Sequence, residues 1–200
     1  MIVIGLTGGI GMGKSTASRV FRQAGLPVFD ADATVHALQA PGGRALPAIA
    51  AAFPGTVPGG VLDRAALRRQ VVFNTTALRR LEAIIHPLVR RAEGEFLARA
   101  RRRGVPAAVL DIPLLLETGG QRRVDQVVVV SAPRAVQIAR VRRRGGMTEA
   151  EIAAVIARQM PDAKKRGLAD LVVRTGLSRH HARRQLRRYI LMLKSQRRQA

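Results

Sequence analysis

The chain alternates between short apolar runs and longer segments of helical periodicity. Five runs predict β-strands: Ile2 to Leu6, Pro27 to Phe29, Ala107 to Leu110, Val127 to Val130, and Leu171 to Val173. The runs are continuous rather than alternating, and such strands are buried on both faces, which is typical of a parallel sheet covered by helices. The pattern therefore predicts an α/β fold.

Helical patterns fill the intervals between the runs. Apolar spacing from Ala17 to Ala24 predicts a helix that ends at Gly25, so the first two strands and this helix form a right-handed βαβ unit. Between residues 31 and 103 there is no convincing strand, and the helical pattern is broken by Pro41-Gly42-Gly43 and by residues 53–60. Because this interval is too long for a crossover alone, we interpret it as a helical substrate-binding lobe inserted in the α/β core.

Further helices are predicted in the last third of the chain. One runs from Ser131 to Arg144, and Thr148 with Glu151 forms a capping box for the next. Ser178 is predicted to cap a final amphipathic helix, and we expect the tail, residues 194–200, to be frayed. The residues that this last helix buries are Leu186, Ile190 and Leu193.

The composition is that of an ordinary globular protein. The chain has 200 residues, 47% of them hydrophobic, enough for one well-packed domain but hardly for two independent cores. It has no Cys, which excludes disulfides and thiolate metal sites and fits a reducing compartment. The net charge of +22, nearly all from Arg, raises nucleic acid or acidic small molecules as partners. Most Arg pairs lie where a helix surface would be solvated, so the charge alone does not identify the partner.

No stretch approaches the ~20 apolar residues that a membrane helix requires. The first seven residues lack the basic region and the cleavage site of a signal peptide, and they lead directly into a glycine-rich motif. We therefore expect no membrane segment and a location in the cytoplasm.

A glycine-rich loop follows the first strand. Gly8 to Ser15 match the pattern G-x-x-x-x-G-K-[ST]. In such a loop, consecutive backbone N–H groups point at phosphate oxygens, and the following helix adds the positive end of its dipole. Lys14 would reach the β- and γ-phosphates, and the Ser15 hydroxyl would ligate Mg²⁺. The loop predicts nucleotide binding but does not identify the group that receives the phosphoryl.

Carboxylates follow two of the predicted strands. Asp30 and Asp32 come after the second strand, and in open α/β sheets ligands bind beyond the carboxyl ends of the strands. One of them can take the proton of a hydroxyl acceptor, or both can cap the helix that starts near Ala33. Asp111 closes the third run as a Walker B carboxylate does and would then hold Mg²⁺ directly or through water. Many strands end in Asp, so this pattern alone is weak.

Two other groups stand out. His86-Pro87 interrupts a long helical pattern, and a lone His is more often structural than functional. Arg140, Arg143 and Arg144 precede Gly145-Gly146, where nucleotide kinases have a lid that closes over ATP and supplies cations. The alternative is a solvated basic face, but a Gly pair would let the segment move, which favours a function for at least one of these arginines.

Taken together, these residues resemble the dephospho-CoA kinase family from Ile4 to about Val173. The loop is shared by all P-loop proteins, whereas the Asp-Ala-Asp, Ile-His-Pro and Ile-Pro-Leu-Leu segments are more specific to this family. The matching segments are Thr7 to Thr16, Asp30 to Asp32 with His36, Leu62 to Arg64, Leu67-Arg68, Val72-Phe73, Leu81 to Pro87, Asp111 to Glu117, Gln137 to Arg144, Gln159, Lys165-Arg166 and Ala169-Asp170.

The resemblance implies a P-loop NTPase-type kinase of three layers, α/β/α, with a five-stranded parallel sheet, an inserted helical lobe and a helical lid. Within one domain, it assigns residues 1–32, 104–139 and 169–200 to the nucleotide-binding core, 33–103 to a lobe for the CoA moiety, and 140–168 to the lid. The implied reaction converts ATP and dephospho-CoA to ADP and CoA, the last step of CoA synthesis, with Mg²⁺ accompanying ATP. No nucleic-acid or membrane partner is expected, and a monomer is the default.

The resemblance also implies the site residues. Asp32 would be the base on the ribose 3′-hydroxyl, with Lys14 and Arg140 as further catalytic residues. The implied ATP-binding residues are Gly9, Gly11, Met12, Gly13, Lys14, Ser15, Thr16, Arg144 and Thr175. The implied substrate-binding residues are Thr7, Asp32, His86 and Leu114, and the implied Mg²⁺ ligands are Ser15 and Asp111.

Two positions depart from the family pattern. Met12 stands where the family commonly has Ser, and we expect little effect because only the backbone is needed there. Near the adenine the family usually has Asn, whereas this chain has Arg174-Thr175-Gly176. Thr175 can still donate and accept one hydrogen bond, and the neighbouring backbone could also read the base, so the sequence leaves the adenine contact and the nucleotide selectivity open.

Two other functions fit parts of the sequence. Another small-molecule P-loop kinase, acting on a nucleoside, a nucleoside monophosphate or a shikimate-like acceptor, would keep Lys14 and Ser15 but use the lobe differently. A nucleic-acid-binding ATPase would use the Arg-rich helices, but the sequence has no aromatic stacking set and no recognition motif.

Overall fold

The computed structural model describes residues 1–196, and all five predicted strands are present. They are β1 (Ile2–Thr7), β2 (Val28–Asp30), β3 (Ala107–Asp111), β4 (Gln126–Ser131) and β5 (Leu171–Arg174). Each strand continues one residue beyond its apolar run, so each ends on a polar side chain.

The helices of the described residues occupy the predicted intervals. They are α1 (Lys14–Gln23), α2 (Ala31–Leu38), α3 (Leu46–Ala52), α4 (Arg64–Val71), α5 (Thr75–Arg102), α6 (Arg134–Arg144), α7 (Glu149–Arg158), α8 (Asp162–Gly167) and α9 (Arg179–Gln196). The predicted capping box is present: Thr148 accepts from the Glu151 N–H, and the Glu151 carboxylate accepts from the Thr148 N–H. Ser178 caps α9 by accepting from the His181 N–H.

The strand β1 lies at the centre of the sheet. The strand order is β2-β3-β1-β4-β5, with β1 parallel to both β3 and β4, and β4 parallel to β5. Leu6 lies opposite Asp111 of β3, and Thr7 lies opposite Val129 of β4. The predicted parallel sheet is confirmed, and the loop after β1 begins between the carboxyl ends of β3 and β4.

Both faces of the sheet are buried. Val128 and Val130 of β4 belong to one apolar cluster, which includes Phe21 of α1 and residues of α9. Val127 and Val129 belong to a second cluster with Leu115 and Leu116. Because side chains of a strand alternate between faces, four consecutive valines fill both sides. The predicted three-layer α/β/α architecture is confirmed.

Two sequence-based expectations about helices are wrong. Pro87 was expected to interrupt the helical pattern, but it lies inside the continuous helix α5. Ile85 and Leu88 on either side of it pack into an apolar core, which offsets the backbone hydrogen bond that Pro cannot make. The tail was expected to be frayed from residue 194, but α9 includes residues 194–196, and Lys194 Nζ donates to the Ala24 carbonyl at 2.9 Å. The remainder of the predicted tail lies outside the described residues.

The described residues divide into two compact units. The first comprises residues 1–29 and 100–196, and the second comprises residues 30–99. Residues 30–32 were assigned to the core from the sequence but pack with the second unit, while residues 140–168, the predicted lid, fall within the first. The second unit has its own apolar core, built from Ala45, Leu46, Ile49, Phe53, Leu62, Leu67, Val71 and Ile85.

Within residues 1–196, no helix combines the length and the apolar character needed to cross a bilayer.

Substituting leucines in the last turns of α9 tests the order of this helix end. Leu193 is 1% exposed and Leu191 is 67% exposed. We expect Leu193→Ala to lower the free energy of unfolding by about 2–5 kcal/mol, because it removes packed methyl groups and leaves a cavity. Leu191→Ala, the matched control, should change it by no more than about 0.5 kcal/mol. Urea denaturation of both variants is the measurement, and equal midpoints would contradict a packed helix end.

Candidate active site

The loop from Gly8 to Ser15 turns sharply between β1 and α1. Gly11 and Gly13 have φ angles of 73° and 96°, in the left-handed region that residues with a Cβ atom avoid. The Met12 N–H donates to the Gly9 carbonyl at 3.1 Å, and α1 begins at Lys14. Since the first N–H groups of a helix have no acceptor inside it, those at the start of α1 are available to an anion.

A buried ion pair joins this loop to the sheet. Lys14 Nζ lies 2.5 Å from Asp111 Oδ1, and Asp111 Oδ2 accepts a hydrogen bond from the Ser18 hydroxyl. Asp111 is almost completely buried, and a buried carboxylate is tolerated only when it is paired. The carboxylate at the end of β3 thus positions the lysine of the loop.

Ser15 and Asp111, the residues predicted to hold Mg²⁺, fit a site in which water molecules supply most of the ligands. Ser15 is exposed on the first turn of α1, and hydroxyl and carboxylate oxygens are ligands that Mg²⁺ prefers. Both oxygens of Asp111 already have partners, so Asp111 fits as a ligand through water better than as a direct one. Residues 1–196 contain no cluster of three or more His, Cys, Asp or Glu that could hold a metal. Such a cluster is not required, because Mg²⁺ commonly takes one or two protein ligands.

Arg140 of α6 is fixed against the loop and the end of β5. Its Nη2 donates to the Thr175 carbonyl at 2.6 Å, and its Nη1 donates to the Thr175 hydroxyl at 3.0 Å. The same hydroxyl donates to the Met12 carbonyl at 2.6 Å. Thr175 was predicted to contact adenine, but its hydroxyl proton is already used within the protein. The structure therefore places its side chain as a link between the loop and Arg140.

A cavity of about 490 Å³ lies beside the loop. The pKa of Arg140 is lowered mainly by partial burial. The positive charges of Arg143, Arg179 and Arg144 lower it further. None of the lining residues is acidic, so the cavity favours a ligand with both anionic and apolar parts. The arginines that line it are Arg140, Arg143, Arg144, Arg179 and Arg183. Its apolar walls are Ala17, Val136, Ala139, Val173, Ala182 and Leu186.

Sequence reasoning missed the contribution of α9 to this cavity. Arg183 belongs to one of the Arg pairs that the sequence places mostly on solvated helix faces, with a few available to phosphate, and Arg179 is not among those pairs. The signal was present in the spacing, because Arg179, Arg183 and Leu186 follow i, i+4 and i+7 and therefore share one face of the helix. Both arginines line the cavity together with the predicted residues Gly11, Gly13 and Thr16.

The two substrate-binding residues predicted around β1 and β3 differ in accessibility. Thr7 is fully buried, and its hydroxyl donates to the Pro113 carbonyl at 2.9 Å. Its hydroxyl therefore anchors the turn after β3, and its predicted contact with the substrate stays a prediction. Leu114 in that turn is 44% exposed and remains accessible.

The remaining predicted residues belong to the second unit. Asp30 caps α2, its Oδ1 accepting from the Ala33 N–H at 3.0 Å. Asp32 lies exposed on the first turn of α2, and His86 is exposed on α5. Of the two carboxylates that could cap this helix, Asp30 is the one that does so.

The fold and the phosphate loop define a P-loop protein of the small-molecule kinase class. A family model described as dephospho-CoA kinase matches residues 2–179. The dephospho-CoA kinase of Mesorhizobium japonicum is 55% identical over 197 residues, covering 98% of this chain and 99% of that protein. A crystal structure from Thermus thermophilus superposes with a TM-score of 0.84 at 36% identity, over 96% of both chains. The dephospho-CoA kinase from Campylobacter jejuni, at 22% identity with a TM-score of 0.66 over 96% of both chains, shares the fold.

The chain belongs to the dephospho-CoA kinase family.

The link between the loop and Arg140 can be tested at Thr175. We expect Thr175→Val to weaken ATP binding about 3- to 10-fold, because it removes the hydroxyl that joins Met12 to Arg140 and leaves a buried carbonyl without its donor. Thr175→Ser keeps the hydroxyl and serves as the control, with binding close to that of the unmodified protein. Titration calorimetry with ATP is the measurement, and equal affinities for the Val and Ser variants would contradict the link.

Proposed function

We propose that the chain transfers the γ-phosphoryl group of ATP to the ribose 3′-hydroxyl of dephospho-CoA and so produces CoA and ADP. The observation that carries this proposal is the phosphate loop with Lys14 paired to Asp111, within a chain of the dephospho-CoA kinase family. The cavity beside the loop has the volume, the apolar walls and the cations that a bound adenosine triphosphate needs.

On the donor side, backbone N–H groups at the start of α1 hold phosphate oxygens, and Lys14 exchanges part of its contact with Asp111 for the β- and γ-phosphates. Arg140 and Arg144 supply further positive charge as negative charge develops on the transferring group. Arg140 is held in place by Thr175, so little reorganisation is needed for it to act.

On the acceptor side, Asp32 is the base. Its carboxylate takes the proton of the 3′-hydroxyl while the hydroxyl oxygen forms a bond to the γ-phosphorus, and the bond from that phosphorus to the bridging oxygen breaks to release ADP. Asp32 is exposed and, among the hydrogen bonds described for residues 1–196, is not used as a helix cap, whereas Asp30 is. This difference favours Asp32 as the base.

Mg²⁺ is the cofactor of the proposed reaction. Ser15 would hold it directly and Asp111 through water, and the bound ion would neutralise charge on the β- and γ-phosphates. The protein residues contribute the orientation of the triphosphate, since the loop and Lys14 are fixed by the sheet.

Residues 33–103 are the proposed lobe for the CoA moiety, and His86 and Leu114 are proposed contacts of the acceptor. Residues 140–168 are the proposed lid, in which Gly145-Gly146 allow the movement while Arg140 and Gln159 stay in contact with the loop. The enzyme is proposed to be a monomer and to act in the cytoplasm.

A panel of acceptors tests the proposed function. Purified protein is supplied with ATP and Mg²⁺, and coupled ADP release is followed with dephospho-CoA, nucleosides, nucleoside monophosphates, shikimate and nucleic acid. We expect turnover only with dephospho-CoA. Faster turnover with another hydroxyl acceptor, or ATP hydrolysis stimulated by DNA or RNA, would contradict the proposal.

The base can be identified by two matched substitutions. Asp32→Asn should lower kcat about 100-fold or more, because the carboxamide cannot take the proton, and should leave ATP affinity nearly unchanged. Asp30→Asn is the control, since Asn caps a helix about as well as Asp. Steady-state kinetics with dephospho-CoA and calorimetric titration of ATP are the measurements. A loss confined to the Asp30 variant would reassign the base, and near-normal rates for both would exclude either carboxylate.

A further inference from the structure

Two glutamine side chains hydrogen-bond to the backbone of Ile10 in the phosphate loop, one to each of the two peptide units that meet at its Cα atom. Gln137 Nε2 on α6 donates to the Ile10 carbonyl at 2.9 Å, and Gln159 Oε1, just after α7, accepts from the Ile10 N–H at 3.0 Å. The backbone groups of Ile10 fix which end of each amide faces the loop, because a carbonyl requires a donor and an N–H requires an acceptor. Both residues lie far from the loop in sequence.

The two amides also lie close to the neighbouring glycine. A Cβ atom on Gly9 would come within 3.1 Å of Gln159 Oε1 and 3.2 Å of Gln137 Nε2. A Cβ atom on Gly11 would come within 2.8 Å of the backbone carbonyl oxygen of Gln137. The first half of the loop therefore rests directly on α6 and on the segment that joins α7 to α8.

That segment is also held by the turn after β3. The Met160 N–H donates to Glu117 Oε1 at 3.0 Å, and the ammonium of the buried residue Lys165 lies 2.6 Å from the same oxygen. Because Glu117 belongs to that turn, the backbone next to Gln159 is held by a contact outside α7 as well as by the end of this helix.

We infer that Gln137 and Gln159 are positioning residues, which hold the two peptide units on either side of the Ile10 Cα atom so that the N–H groups after Ile10 face the triphosphate of the donor. This inference deepens the proposed function and rests on it for the identity of the donor. The Ile10 N–H donates to Gln159 and the Met12 N–H donates to the Gly9 carbonyl, so the N–H groups that would face phosphate are those of Gly11 and of Gly13 to Ser15. Rotation of the Ile10–Gly11 peptide unit would turn the Gly11 N–H away from the phosphates.

Equilibrium binding of ATP without any acceptor provides the first test. Gln159→Met and Gln137→Met keep the side-chain length and remove the polar end, and each should weaken ATP binding about 3- to 10-fold, the size expected for one lost hydrogen bond. Gln23→Met is the matched control, because it is the same substitution at an exposed residue, at the end of α1. Its ATP affinity should stay within twofold of the unmodified protein.

Glutamate at the same two positions distinguishes hydrogen bonding from simple packing. Gln159→Glu keeps an acceptor oxygen for the Ile10 N–H, so this amide should still exchange slowly with solvent. Gln137→Glu replaces a donor by a carboxylate facing the Ile10 carbonyl, so exchange at Ile10 should become faster. Residue-resolved amide exchange by NMR is the measurement. If the two side chains only filled space, Gln159→Glu and Gln137→Glu would change the exchange rate of the Ile10 amide equally.

The inference is overturned if Gln137→Met and Gln159→Met both bind ATP as tightly as the Gln23→Met control, or if amide exchange at Ile10 is the same in the Gln159→Met variant as in the unmodified protein. Gln159→Met and Gln137→Met test the inference independently, so the test can be made even if only one of the two variants folds. Since ATP binding is measured without dephospho-CoA, a failure of acceptor turnover would count against the proposed function and leave this inference standing.

Discussion

The contact between Lys14 and Asp111 is the interaction on which the account of this protein depends. Asp111 lies at the end of a buried strand next to β1, and such a carboxylate is stable there only with a cationic partner and further hydrogen bonds. Lys14 supplies the positive charge and Ser18 the hydrogen bond. The sheet thereby fixes the lysine that a triphosphate requires, before any ligand has to order it.

Much of this arrangement could be predicted from the sequence because its causes are local. An apolar run of three to five residues that is followed by a polar one predicts a strand, and each predicted strand is present with its end shifted by one residue. The loop from Gly8 to Ser15 is specified by glycines whose backbone angles other residues avoid. The capping box at Thr148 is a short-range pattern of the same kind.

The rest depends on contacts between distant parts of the chain. Pro87 remains in a helix because the lobe core packs around it, and the buried Thr7 hydroxyl donates to the Pro113 carbonyl in the turn after β3. Gln159 accepts a hydrogen bond from the Ile10 N–H, which lies 149 residues away in the sequence. Arg179 lines the cavity because α9 packs beside the loop. No local pattern measures such distances, so these side chains could be placed only by the folded structure.

The central claim is that the loop holds the triphosphate of the phosphoryl donor. A crystal structure with a non-hydrolysable ATP analogue and Mg²⁺ tests it most directly. In the expected result, backbone N–H groups between Gly11 and Ser15 lie within hydrogen-bonding distance of phosphate oxygens. The adenine lies in the cavity lined by Arg140, and Lys14 Nζ contacts the β- and γ-phosphates. A triphosphate bound elsewhere, with Lys14 contacting only Asp111, would contradict the account.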